Sequence, residues 1–423
     1  MDINKLLKGV ECNCGKLHTC DIDYVYIEKN AIRHLTEICS EDQHILLVAD
    51  ENTFAAAGEQ VVSSLAGKEL TQVIFGRCKT LIPDEKAIGS VEKYLNGIDV
   101  IVGIGSGVIQ DLCKYVSHYN KIPYIIVATA PSMDGYASNG AAMITGGMKV
   151  TYSAGLPKAI LADVDVLRNA PMDMLQAGYG DVIGKFSALN DWKLSQLLNG
   201  EYFCDYIYDL TYAQIKAVID LADGILKRDK DSVQALMNAL VVIGILMSFA
   251  GSSRPASGSE HHLSHFFEIT GILEDKPYFS HGLDVAYSTV ITAALREQLL
   301  NKSFPDDLYR PSKDEYFQKM QAIYGSSAEG CVQLQEKVGC YQRHTAQMYL
   351  SKEAEIRSIL AQMPTAKEIQ DLLALVDLNI DAFYGLYGKE KIHNAVLYAK
   401  ELKDRYTVLW LYYDLFGGEV IAI

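Results

Sequence analysis

Asp99-Val-Ile-Val-Gly-Ile-Gly-Ser-Gly107 is the stretch whose reading decides the fold. A short β-branched run ends in glycines at alternate positions, and a helical pattern follows through His118. Strand, glycine turn and helix together open a βαβ unit. Moving outward, residues 44–49 (His-Ile-Leu-Leu-Val-Ala) read as a strand buried on both faces. Asp50-Glu-Asn-Thr53 follows as a helix start for residues 54–66. Residues 72–75 are a further strand, 84–95 a helix and 124–128 a fourth strand, while 21–27 give a possible edge strand. This alternation predicts a parallel sheet.

Residues 141–144 and 148–152 flank Gly146-Gly147 as a β-hairpin, and residues 159–163 are the last strand. Asn169-Ala-Pro171 is a helix-start signal. The boundary is therefore placed between an α/β domain, residues 1–168, and an all-helical domain, residues 169–423. Helices are expected over 172–198, 205–226, 232–251, 257–269, 282–298 and 312–324. The tyrosine-rich segment from about Ser303 reads as extra helices that cover this domain or make a subunit contact.

The chain has 423 residues, half of them hydrophobic and 22% charged, enough for a sizeable core. A formal charge of −15 argues against nucleic acid or anionic membrane as partners. The first eight residues lack the apolar core of a signal peptide. The longest apolar run, residues 239–250, reads as a buried helix. A cytoplasmic protein without membrane insertion is expected. Cys12, Cys14 and Cys20 cluster with His18 in a spacing that matches no C-x-x-C framework. Reduced cytosolic thiols and a small metal site are the two readings of that cluster.

Gly105, Ser106 and Gly107 stand where backbone N–H groups at a helix start would meet a dinucleotide pyrophosphate. The third glycine comes too early for the Rossmann fingerprint, and a plain βα turn fits as well. Asp111 and Lys114 follow at helical spacing, as a cofactor contact or a solvated ion pair. Asp50, ending a buried strand, either binds the adenosine ribose or caps a helix. The loop Thr129-Ala-Pro-Ser132-Met-Asp134-Gly-Tyr-Ala-Ser138 leaves the sheet edge where open α/β folds bind ligands. Thr129 and Ser132 are candidate cofactor contacts. Asp134 is a candidate for a substrate hydroxyl, or else forms an Asx-turn with Gly135.

The other candidate site lies in Gly251-Ser-Ser-Arg-Pro-Ala-Ser-Gly-Ser-Glu-His-His-Leu-Ser-His265. His262 and His265 are three apart and share a helical face. Ser280-His281-Gly282 opens the next helical pattern, and Asp181 sits upstream in an apolar segment. One carboxylate and two imidazoles suit a divalent cation with an open position for substrate. Asp181, His262 and His281 are the expected ligands, with Glu260 or His265 behind them. Arg254 offers a fork that matches phosphate oxygens, or pairs structurally.

Gly-Ser-Gly-x-x-x-Asp-x-x-Lys at 105–114, Ser-Met-Asp-Gly at 132–135, Asp181, His262-x-x-His265 and Ser280-His-Gly282 together resemble the iron-dependent alcohol dehydrogenase and glycerol dehydrogenase superfamily. The run Ser253-Arg-Pro-Ala-Ser-Gly-Ser-Glu-His261 is the specific part, and it resembles the branch acting on sn-glycerol 1-phosphate. The resemblance covers roughly residues 45–299. It implies a dehydroquinate synthase-like fold and a divalent metal, zinc or alternatively nickel, on Asp181, His262 and His281. It implies NADH or NADPH against Gly105, Ser106, Gly107, Asp111, Thr129 and Ser132, with Asp50 and Ser138 as further cofactor candidates. Asp134 would touch substrate, Arg254 leads Lys149 and Lys158 as the candidate for its phosphate, and a proton would arrive through water, the ribose hydroxyl or His265.

The implied reaction is reduction of dihydroxyacetone phosphate, a small phosphate ester, by a homo-oligomer of two or more chains. A polyol dehydrogenase on the same scaffold is the alternative. A dehydroquinate-synthase-like lyase is disfavoured, because its lysine- and asparagine-rich substrate stretch is missing. Leu283-Asp284 stands where the superfamily often carries Glu two residues after the second ligand histidine.

Overall fold

The computed structural model describes residues 3–76, 81–146, 148–417 and 419. The chain divides into two compact units, Met1–Val182 with Asp209–Ser253, and Ile183–Tyr208 with Arg254–Ile423.

The first unit is built on a parallel sheet of β1 (Tyr24–Glu28), β2 (His44–Asp50), β3 (Glu69–Phe75), β4 (Val100–Gly105), β5 (Tyr124–Ala128) and β6 (Ala159–Asp163), ordered β1-β6-β5-β4-β2-β3. Every β4 position is buried, which is why its sequence is continuous in Val, Ile and Gly rather than alternating. Val102 of β4 registers with Leu47 on one side and Ile125 on the other. These residues, with Ile104, Val127 and Leu161, form one apolar core. Each such side chain contributes roughly 1.5–3 kcal/mol by leaving water.

The glycine stretch is less of a turn than its sequence suggests. β4 runs through Gly105, and helix α1 (Gly107–Asn120) begins after Ser106 alone. A Cβ on Gly103 would lie 2.8 Å from Cys113 Sγ, and one on Gly105 would lie 2.5 Å from Ile109 Cβ. These two glycines let α1 lie directly on its own strand. The expected hairpin forms from Gly140–Thr145 and Met148–Ser153; Gly147 lies outside the described residues.

Helix α2 (Met172–Asn199) starts in the first unit and continues into the second from Ile183. Most of α3 (Asp205–Ile219) and all of α4 (Lys230–Ala250) belong to the first unit, so the division does not follow the expected cut at 168/169. The reason is the packing of α4. A Cβ on Gly244 would lie 2.9 Å from Asp134 O, so glycine permits close contact with the turn after β5. Gln234 Nε2 donates to Ile27 O at 2.6 Å. By length and composition α4 could cross a bilayer, but 78% of its most apolar window is buried within the protein.

The second unit is helical, with α5 (Ser259–Glu274) and α6 (His281–Asn301) at its centre. Asp191 and Arg296, both fully buried, form an ion pair at 2.7 Å. Asp191 also accepts from Ser259 N at 2.7 Å and Val408 N at 2.8 Å, which fixes the start of α5. Tyrosines of the C-terminal segment bond inward: Tyr387 to Asp284 at 2.8 Å, Tyr349 to Asp414 at 2.6 Å and Tyr324 to Tyr398 O at 3.0 Å. The segment covers α6 within this unit.

Candidate active site

The first unit carries a cleft of about 1100 Å³ beside the N-terminus of α1. Asp50, Ser106, Val108, Ile109, Thr129 and Met174 are among its walls. The first N–H groups of a helix have no partners within it and attract anions. A Cβ on Gly107 would meet nothing within 4 Å, so an anion could approach the backbone closely there.

Asp50 is the helix cap that one of its two readings expects. Its Oδ1 accepts from Asn52 N at 2.8 Å and Thr53 N at 2.9 Å, a capping box, while the residue also lines the cleft. Of the other expected cofactor residues, Ser106 and Thr129 line the cleft, whereas Gly105, Gly107, Asp111, Ser132 and Ser138 do not. Asp111 lies 3.6 Å from Lys114. Lys114 is buried and donates to Gly135 O, Gly140 O and Ser138 Oγ, holding the loop after β5 in place. Burial pulls the Lys114 ammonium below its usual range, partly offset by Asp111.

Gly178 explains the glycine-rich approach to Asp181. A Cβ there would fall 1.8 Å from Pro131 O, so only glycine lets α2 touch this loop. That contact seats the buried Asp181 carboxylate, whose Oδ2 accepts from Asp134 N at 2.9 Å. Asp134 itself is buried at the head of a short turn, Asp134–Ala137.

In the second unit the histidines sort by helical phase. The His261 and His265 rings lie 5.0 and 5.7 Å from the His281 ring. His262, expected as a ligand, is not in this group. Its ring is fully buried with neither nitrogen hydrogen-bonded. It lies one turn before Phe266, on the stripe that packs into the helical core. His261, one turn before His265, is the histidine whose ring lies beside His281. Burial, with Lys403, Arg405 and Arg254 nearby, holds the His262 imidazole well below its usual range, so it is neutral.

Glu260 fixes His261. Its Oε1 lies 2.7 Å from His261 Nδ1 and accepts from Gly258 N at 2.8 Å. A carboxylate partner on Nδ1 puts the ring's lone pair on Nε2, the arrangement that metal-ligating histidines show. Burial, then Asp191, pushes the Glu260 carboxyl up to about 7.

Arg254 does not offer its fork to a ligand. It donates to Glu201 at 2.7 and 2.6 Å, to Tyr406 O at 2.8 Å and to Ser195 Oγ at 3.1 Å, and is 3% exposed. The structural-pairing reading is the correct one. Positive charge near the histidines comes instead from Lys185 and Lys403, which bear on His261, and from Arg405, which donates to Ser257 O at 3.2 Å. None of these three was singled out from sequence. Lys403 and Arg405 lie some 140 residues beyond the histidines, with no local motif around them.

A parallel-sheet unit with a cleft at a helix N-terminus and a helical unit with a histidine pair are the two parts of the iron-containing alcohol dehydrogenase fold. The family model for iron-containing alcohol dehydrogenase matches residues 26–171. The iron-containing alcohol dehydrogenase of Thermococcus thioreducens has the same fold, with a TM-score of 0.58 at 14% identity over 95% of this chain and 99% of that one. A glycerol-1-phosphate dehydrogenase (NAD(P)+) of Halalkalibacterium halodurans is 36% identical over 69% of this chain and 77% of its own. That of Bacillus licheniformis is 28% identical over 94% and 90%. The chain belongs to the glycerol-1-phosphate dehydrogenase family.

Proposed function

We propose that this protein reduces dihydroxyacetone phosphate to sn-glycerol 1-phosphate, using NADH or NADPH and one divalent metal. The observation that carries the reading is the His261–His281 pair, with Glu260 holding His261 and two lysines close by, in a chain 36% identical to a glycerol-1-phosphate dehydrogenase. Asp181, His261 and His281 are the proposed metal ligands. Imidazole and carboxylate donors suit zinc, with nickel as the alternative.

When bound, the cation polarises the ketone and the reduced nicotinamide supplies hydride. The chain's own residues do the rest. The N-terminus of α1, with Ser106 and Thr129, seats the nucleotide in the cleft, and Asp50 stands on its wall for a ribose hydroxyl. An acidic Asp50 disfavours a 2′-phosphate, which favours NADH. Lys403 and Arg405 hold the substrate phosphate, and buried Lys185 adds positive charge beside His261. His265, whose ring lies 5.7 Å from that of His281, would supply the proton to the substrate's carbonyl oxygen. Asp134 N keeps the Asp181 carboxylate oriented.

The test is NAD(P)H oxidation with dihydroxyacetone phosphate, before and after chelation and with zinc or nickel returned. Chelated protein should be inactive and recover on metal addition. Full activity in metal-free protein, or equal turnover of unphosphorylated dihydroxyacetone, would overturn the reading.

A further inference from the structure

We propose a second metal site, at Cys12, Cys14 and His18, that binds zinc in a structural role. The three donor atoms lie within 4.8 Å of one another. They sit on a small hairpin in which Val10–Glu11 pairs antiparallel with Leu17–His18. Gly15 N donates to Cys12 O at 3.0 Å and Cys12 N to Lys16 O at 3.2 Å, so the turn is closed on both sides. Gly15 has φ +84°, a conformation that glycine adopts without strain. This tight turn puts both thiols on the loop and the imidazole on the returning strand.

His18 carries the second, independent sign. It is buried, stacked on Phe249, and its Nδ1 lies 3.1 Å from Phe249 O. A carbonyl only accepts, so Nδ1 bears the proton. The lone pair is then on Nε2, and Cys14 Sγ lies 3.4 Å from that atom. A backbone carbonyl that fixes the tautomer of a buried imidazole facing a thiol is how zinc-binding histidines are held. Tetrahedral zinc with bonds of about 2.0–2.3 Å needs its ligand atoms about 3.3–3.8 Å apart, so small side-chain rotations close the site. Two thiolates and one imidazole leave one corner for a further donor. Binding releases the two thiol protons and ties the N-terminal hairpin to α4 through Phe249.

Cys20, their neighbour in sequence, is not in the group. Burial pushes its thiol up to about 12, which keeps it protonated. None of Cys12, Cys14 and Cys20 is in a disulfide.

The experiment compares metal content in the full chain by plasma mass spectrometry. The C12S/C14S double variant should hold one zinc fewer per chain than the parent and melt at a lower temperature. Equal zinc in the two proteins overturns the site. X-ray absorption on zinc-loaded His261→Ala covers the case in which the double variant does not fold, because removing the other proposed site leaves this one to dominate the signal. At least two sulfur ligands are expected there; a first shell without sulfur overturns the proposal.

Discussion

Glu260→Gln isolates the hydrogen bond that orients His261. Glutamine keeps the shape and can still accept from Gly258 N, but it removes the charge opposite His261 Nδ1, now 2.7 Å away. Removing a carboxylate partner from a ligand histidine typically weakens metal affinity by about 10- to 100-fold. At 1.36 kcal/mol per decade that is about 1.4–2.7 kcal/mol. The assay is a competition titration of metal-stripped protein against a chromophoric chelator at fixed pH. Two controls bracket the result. His261→Ala should bind metal more weakly still, and His262→Ala should bind it as the parent does, because His262 faces the helical core. The reasoning fails if Glu260→Gln binds metal within twofold of the parent, or if His262→Ala is the variant that loses it.

Further expectations follow from the same geometry. Arg254→Ala should act on stability and leave the Michaelis constant for dihydroxyacetone phosphate alone. Its cost should fall near or below the roughly 3 kcal/mol lower edge for a broken buried pair, since the Glu201 side chain keeps 32% exposure; a large rise in KM without unfolding would restore Arg254 as a phosphate ligand. Lys403→Ala should raise KM for the phosphate ester and leave KM for NADH unchanged, read by steady-state kinetics. Arg296→Met should lower stability by roughly 3–5 kcal/mol in a denaturant titration, because Asp191 stays fully buried without its guanidinium partner. Gly105→Ala should cost about 1–3 kcal/mol by overpacking against Ile109 and also raise KM for the cofactor, as α1 is pushed off β4.

The parallel sheet was legible in the sequence because its inner strands are buried on both faces and are written as unbroken aliphatic runs, as at 45–49 and 125–128. The glycine stretch reads as a turn in the sequence, since a glycine inside a strand and one in a turn look alike in one dimension. Helical phase alone does not separate the neighbouring histidines. His262 and His261 are both within a turn of His265, and only the packing of Phe266 decides which faces His281. Arg254 was ambiguous because a guanidinium fork fits a carboxylate as well as a phosphate. Lys403 and Arg405 left no local signal at all; tertiary folding alone brings them near the start of α5.

The first compact unit is assembled from two separated lengths of chain, and α4 arrives with the second of them. On the ribosome the sheet is therefore made long before its cover. A polypeptide cut at Val182 would carry all six strands yet leave bare the turn at Asp134–Ala137, against which Gly244 normally nestles. Such a fragment should be sticky and protease-sensitive. Anyone wishing to isolate this unit will have to excise the intervening segment, residues 183–208, and end the chain at Ser253, rather than cut at Val182.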